Sequence, residues 1–132
     1  MKSAQVSGKR KRAIARASIK KGTGIVKINL LNLNAYGPEI AQLMIKEPIL
    51  IAGDIAKKVD INITVRGGGW HSQADAARLV VAKALATFSG SKDLKAKYLE
   101  YDRHLLVSDV RRTEPSKPND SKPRAKRQKS YR

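Results

Sequence analysis

A chain of 132 residues with 41% hydrophobic side chains can bury one modest core, and its 28 Lys and Arg against 11 Asp and Glu give a formal charge of +17. A compact domain repels itself at such a charge, so the composition asks for a polyanionic partner. The lack of cysteine excludes disulfides and thiolate metal sites, no apolar run nears the ~18 residues of a membrane span, and no apolar region follows the basic N-terminus as in a secretory signal, so a soluble, cytoplasmic protein is expected.

The first 21 residues hold eight cations and no acid. Gln5 to Lys11 reads as a strand, and Lys9, Arg10, Lys11 and Arg12 stand beside it as four consecutive cations. A strand places two of them on each face, so packing can hide at most half. Phosphate contact is the expected role, with arginine offering a planar fork and lysine a point charge. A solvated edge that discourages aggregation is the plainer alternative.

Residues 13–20 and 25–31 flank Lys21-Gly22-Thr23-Gly24. Val26, Ile28 and Leu30 alternate with Lys27 and Asn29 at the period of a strand, while 13–20 alternates less cleanly. Glycines at 22 and 24 permit positive φ, so the two runs are expected to pair as a hairpin. Pro38 suits the first turn of a helix whose apolar stripe is Ile40, Leu43 and Met44. Pro48 should end or kink it, with Ile49 to Ala52 continuing as a further helical turn. Asp60 to Arg66 is the clearest strand, with Ile61, Ile63 and Val65 on one face.

Gly67, Gly68 and Gly69 lead into a helix expected from about Ser72 to Ser89, with Ser72 and Asp75 spaced as in a capping box. Leu79, Val80, Ala84 and Phe88 form the side that would bury, and Gly90 stops the helix. A last helix is expected from about Asp93 to His104, with Leu94, Tyr98, Tyr101 and Leu105 on its stripe. From Arg111 apolar periodicity ends. Pro115, Pro118 and Pro123 lie among polar and basic residues, and nine cations face two acids. An extended, unpacked arm over 111–132 following a domain over 1–110 is the expected organisation. Between the two ends, residues 22–110 hold eleven cations and nine acids, an ordinary balance.

The three glycines lack the Walker A and dinucleotide-binding spacings, yet small residues at a helix start let backbone N–H groups approach a phosphate. Contact between Arg66, Gly67, Gly68, Gly69 and an RNA backbone is therefore expected, a plain turn being the alternative. Trp70 either stacks on RNA or caps the core. His71 and His104 have neither cysteine nor paired carboxylates beside them, and Asp102-Arg103 reads as a local ion pair. No catalytic residue, metal, cofactor or small-molecule substrate is expected.

Gly8-Lys9-Arg10-Lys11-Arg12-Ala13, Gly22-Thr23-Gly24, Val65-Arg66-Gly67-Gly68-Gly69 with Gln73, Tyr101-Asp102-Arg103, Asp109-Val110-Arg111-Arg112-Thr113-Glu114 and the ending Arg124-Ala125-Lys126-Arg127-Gln128-Lys129-Ser130-Tyr131-Arg132 occur in one order over nearly the whole chain. Together they closely resemble the family of protein nine of the small ribosomal subunit. The Lys-Ser-Tyr-Arg ending is similar to the archaeal and eukaryotic branch, and the short N-terminus favours an archaeal source. Lys117-Pro118-Asn119 departs from the aromatic-Gly step that many relatives carry.

The resemblance implies an α+β fold: a small sheet, packed by two to three helices, similar to domain two of ribosomal protein five with its left-handed βαβ unit. It implies binding to ribosomal RNA of the head 3′ major domain through Lys9 to Arg12, Arg66 to Gly69, Arg111, Arg112, Lys122, Arg124, Lys126 and Arg127. Neighbouring ribosomal proteins of the head are further implied partners. Lys129, Ser130, Tyr131 and Arg132 would reach the anticodon stem-loop of peptidyl-site tRNA. Fully extended, residues 111–132 reach on the order of 70 Å. An RNA-processing subunit or a small-molecule kinase of related fold are rival readings; a kinase needs a phosphate loop and a longer chain.

Overall fold

A computed structural model describes residues 2–131. Strands β1 (Ser3–Arg10) and β2 (Ala13–Lys21) form an antiparallel hairpin with Arg10 opposite Ala13. Lys11 opens the two-residue connection at φ 52, the sign that tight hairpins favour. The alternation in β2 is complete: Ala13, Ala15, Ala17 and Ile19 are buried while Ile14, Arg16, Ser18 and Lys20 are exposed. Alanine carries little hydrophobic signal, which is why the sequence shows this pattern only faintly.

After β3 (Val26–Ile28) come the short β4 (Leu31–Asn32) and a 3-10 turn, Leu33–Ala35. Helix α1 (Glu39–Ala52) and a 3-10 stretch, Gly53–Lys58, lead to β5 (Val59–Arg66). Helices α2 (Trp70–Ser89) and α3 (Lys92–Tyr101) and a 3-10 turn, Arg103–Leu105, follow. The sheet order is β1-β2-β5-β3-β4.

The expected hairpin between residues 13–20 and 25–31 does not form. Strand β5 lies between them, antiparallel to β2, with Ile63 opposite Ala17, and parallel to β3, with Ile63 opposite Ile28. The intervening loop bonds to the start of β5 instead of to itself. Gly22 N–H donates to the Lys58 carbonyl at 2.9 Å and Gly24 N–H to that of Val59 at 3.1 Å. The Asp60 carboxylate accepts from the N–H groups of Thr23 at 2.8 Å and Ile25 at 3.0 Å. Ile25 first and Thr23 next hold that carboxyl below the usual range. Strand β3, α1 and β5 thereby make a βαβ crossover, the connection that adjacent parallel strands require.

Pro48 lies inside α1 and is buried; the helix runs on to Ala52. Packing outweighs the missing donor, since Ile45, Pro48 and Ala52 share the inward side and the buried Tyr98 hydroxyl donates to the Pro48 carbonyl at 2.8 Å. Helix α2 starts at Trp70 with Gly69 as its cap, not at Ser72. Asp75 makes no capping box because its carboxylate turns to Arg10 and His71. Helix α3 is capped by Ser91, whose hydroxyl accepts from Leu94 N–H, and stops at Tyr101 rather than His104. Asp102 caps the turn that follows, accepting from His104 N–H at 2.9 Å. Leu94, Tyr98 and Leu105 are buried as the stripe requires, whereas Tyr101 stays exposed at the helix end.

All three helices lie on one side. The core joins the inward residues of β2, β3 and β5 to Ala76, Ala77, Val80, Val81, Ala84 and Leu85 of α2. Alanine-rich α2 approaches the sheet closely enough that a Cβ on Gly8 would sit 2.8 Å from a Leu79 methyl. Phe88 is half-buried under the Lys2 ammonium, 5.4 Å from its ring centre. The opposite face of the sheet carries no helix among the described residues, and its outward side chains are exposed from β1 to β3.

Candidate nucleic-acid interface

Three segments distant in sequence meet at one end of the sheet: the β1–β2 connection, the turn from β5 into α2, and residues 109–112. Lys9, Lys11 and Arg12 are exposed, and among the described residues none is paired with an acid. Arg10 is different. Its side chain is only 14% exposed, with Nε 3.8 Å from Asp75 and Nη2 3.5 Å from Asp109. Its Nη1 also donates to the Arg111 carbonyl at 3.1 Å. The four cations that look equivalent in the sequence therefore divide into three outward charges and one internal clamp.

Asp109 is the centre of that clamp. Arg111 donates to it from Nη2 at 2.8 Å and from its backbone N–H at 3.0 Å. Those two bonds, with the nearby Arg10 charge, hold the Asp109 carboxyl far below the ordinary carboxylate range. Arg112 Nη1 donates to the Lys11 carbonyl. The root of the C-terminal segment is thus fixed to the tip of the N-terminal hairpin, while the Arg111 side chain remains 79% exposed.

The glycines serve two purposes. Gly67 has φ 77 and a Cβ there would lie 2.6 Å from the Arg12 carbonyl oxygen; Gly68 has φ 64 and its Cβ would lie 3.1 Å from Ala13 N. Only glycine lets this turn lie against the hairpin backbone. Gln73 Nε2 then donates to the Gly67 carbonyl at 3.1 Å. Gly69, with φ −92, faces open space. It exposes the start of α2, whose first turn has neither an acidic residue nor a side-chain cap, a favourable setting for an anion. Arg66 beside it is exposed. Trp70 is 49% exposed and meets His71 edge-on, with ring centres 5.4 Å apart. It does not cap the core.

Asp102 pairs with Arg78, at 3.0 Å, rather than with its neighbour Arg103. Arg78 Nη2 also lies 2.6 Å from Glu47, so this side chain of α2 ties α1 to the end of α3. Burial opposes its charge, but hydrogen bonds to Asp102 and Glu47 outweigh that and raise its pKa. The sequence gives no sign of this bridge, because its members are 24 and 31 residues apart. Among the described residues no cluster of His, Asp and Glu could hold a metal ion, and no helix is long and apolar enough to cross a membrane.

Residues 113–131 have no helix or strand, and among the described residues no hydrogen bond or ion pair ties them to the sheet or its helices. They are not fully extended. Asp120 N–H bonds back to the Lys117 carbonyl and Ala125 N–H to that of Lys122, with Asn119 at φ 69. Arg124 Nε reaches Glu114 at 2.8 Å. Pro118 and Asn119 at the centre of the first turn explain the departure from an extended path. Lys122, Lys126, Arg127, Lys129, Ser130 and Tyr131 are exposed. Arg132 lies outside the described residues.

A one-sided α+β fold with exposed cations at one sheet end and along its tail has the charge placement of the nucleic-acid-binding class of proteins. A family model described as ribosomal protein S9/S16 matches residues 8–132. The small ribosomal subunit protein uS9 of Methanococcus maripaludis strain S2 is 50% identical, and those of strains C7 and C5 are 49% identical, each over the full length of both chains. The chain belongs to the ribosomal protein S9/S16 family: it is a structural ribosomal protein of the small subunit and not an enzyme. The motifs from Gly8 to the C-terminal arm are thus those of this family, and these relatives come from an archaeon.

Proposed function

We propose that the protein anchors ribosomal RNA of the small-subunit head at two places and extends its last residues toward tRNA in the peptidyl site. The observation that carries this reading is the placement of charge. Seventeen cations and two acids lie in residues 1–21 and 111–132, around a nearly balanced middle. Lys9, Lys11 and Arg12 at the hairpin tip, with Arg66 and the Gly67-Gly68-Gly69 turn, form the first anchor. Lys122, Arg124, Lys126 and Arg127 form the second. Arg10, Arg111 and Arg112 set where the tail leaves the body, and the exposed Arg111 guanidinium adds to the first anchor. Trp70 offers an aromatic edge beside it.

Lys129, Ser130, Tyr131 and Arg132 lie farthest along the tail, which supports a contact beyond the anchoring RNA. Neighbouring proteins of the head complete the assembly. Deletion of residues 130–132 should leave incorporation into subunits nearly intact and weaken retention of peptidyl-site tRNA. Neutralising Lys9, Lys11 and Arg12 should instead reduce incorporation. The reverse pattern would overturn this division of labour.

A further inference from the structure

The helix-free face of the sheet carries five cations outside any ion pair among the described residues: Lys9 on β1, Arg16 and Lys20 on β2, Lys27 on β3 and Arg66 on β5. The register places them in rows. Arg16 stands opposite Ser7 and Thr64, and Lys27 opposite Asn62, which itself faces Ser18. Lys9 and Arg66 flank Ile14 from the two sides. Neighbouring strands lie ~4.8 Å apart and alternate residues along a strand ~6.7 Å, so the cations are spread over an area rather than stacked on a line. Asp60 is the one carboxylate in these rows, opposite Lys20. Its Oδ1 accepts from the N–H groups of both Thr23 and Ile25. Shallow concavities between the strands are lined by Gln5, Ser7, Ser18, Asn62 and Thr64 together with Arg16, Lys27 and Arg66.

We infer that this open face carries RNA contact beyond Lys9 and Arg66 of the first anchor, through Arg16, Lys20 and Lys27, and that it grips the sugar–phosphate surface of a double-helical segment. The inference rests on the RNA-binding reading given above. Charge complementarity selects a polyanion. The hydroxyls and amides between the cations suit phosphate oxygens and ribose 2′-hydroxyls, which a wide, shallow RNA minor groove displays. Among the described residues no aromatic side chain projects from these strands, whereas surfaces that hold unpaired bases rely on aromatic stacking. A protein partner would need an apolar centre to bury, whereas Ile14, 41% exposed, is the one large apolar side chain inside the strand rows, and the exposed Ile25 and Leu30 lie apart from it beyond the two ends of β3.

The full-length protein should be titrated with salt against a generic RNA hairpin and against a uridine homopolymer. The double variant Arg16→Gln/Lys27→Gln is compared with Lys95→Gln/Lys97→Gln on α3, which removes the same charge elsewhere. The open-face pair should lower the logarithmic salt slope for the hairpin by about 1.4–1.8, close to two phosphate contacts. The α3 pair should leave it near the wild-type value, and neither pair should greatly change the homopolymer slope. Equal losses from both pairs, no loss from either, or a loss confined to the homopolymer each overturn the open-face contact while wild-type RNA binding stands. A flat wild-type titration instead removes the underlying RNA-binding reading. All four side chains are exposed, so circular dichroism should report unchanged folding.

Discussion

Replacing Gly67 and Gly69 separately by alanine distinguishes what the triple-glycine turn does for the fold from what it does for a ligand. At Gly67 the left-handed backbone costs a side-chain-bearing residue ~1–2 kcal/mol. The added Cβ would also lie 2.6 Å from the Arg12 carbonyl oxygen, and a backbone atom cannot rotate away as a side chain can. Stiffening of the unfolded chain returns only ~0.4–1 kcal/mol, so Gly67→Ala should destabilise by roughly 2–3 kcal/mol, lowering Tm by about 6–12 °C. At Gly69 the backbone is already in a region open to alanine and nothing lies within 4 Å of the new methyl. Its stability should stay within about 0.5 kcal/mol of wild type, as the weaker cap and the stiffer unfolded chain offset one another. RNA affinity should fall several-fold, because the methyl stands where a phosphate would approach α2. Urea unfolding and RNA titration of both variants decide the matter. A Gly67→Ala protein as stable as wild type would refute the steric argument, and an unchanged RNA affinity in Gly69→Ala would refute phosphate contact at that helix start.

Tyr98→Phe removes the buried hydroxyl that bonds to the Pro48 carbonyl at 2.8 Å and should cost ~1–2 kcal/mol in chemical denaturation; no change would mean that the bond does not secure α3 to α1. Asp109→Asn loosens the clamp of Arg10 and Arg111, so limited proteolysis should cut near residues 110–115 faster while the body stays resistant; an unchanged digestion rate would count against the clamp. Asp60, Asp102 and Asp109 all have carboxyl pKa values lowered in the folded state. Their stabilisation is therefore fully present above the unfolded carboxylate value near ~3.9 and is lost as pH falls below it through the folded values. Thermal unfolding should show a fall in Tm below about pH 4 that Asp109→Asn reduces; an identical acid profile in that variant would show that Asp109 is not one of the groups responsible. Burial pushes the Tyr98 phenol up, so its stabilisation is present below the unfolded value near ~10 and fades as pH rises toward the folded one.

Periodicity revealed β5 and α2 because Ile61, Ile63 and Val65 and the long apolar side of α2 are strong local signals. The neighbour of each strand was not legible. Two glycines between alternating runs look the same whether the runs pair with each other or admit β5 between them, and Asp60, 35 residues from Ile25, makes the difference. Pro48 misleads in part for a related reason: local chemistry asks for an end or a kink before the helical turn expected over Ile49 to Ala52, while packing around Tyr98 keeps both parts in the single helix α1. At the candidate interface the residue types were legible and their states were not. Lys9, Arg10, Lys11 and Arg12 are adjacent, yet Arg10 alone turns inward, because Asp75 and Asp109 arrive from elsewhere in the chain. The open sheet face was visible only as the polar parity of each strand until the register aligned Arg16, Thr64, Asn62 and Lys27.

Residue-resolved RNA crosslinking of assembled small subunits tests the central claim most directly. Crosslinks should concentrate at Lys9, Lys11, Arg12 and Arg66 and along residues 122–131, with tRNA appearing only at the last few positions. Crosslinks confined to α1 and α3, with the hairpin tip and the tail silent, would contradict the two-anchor account.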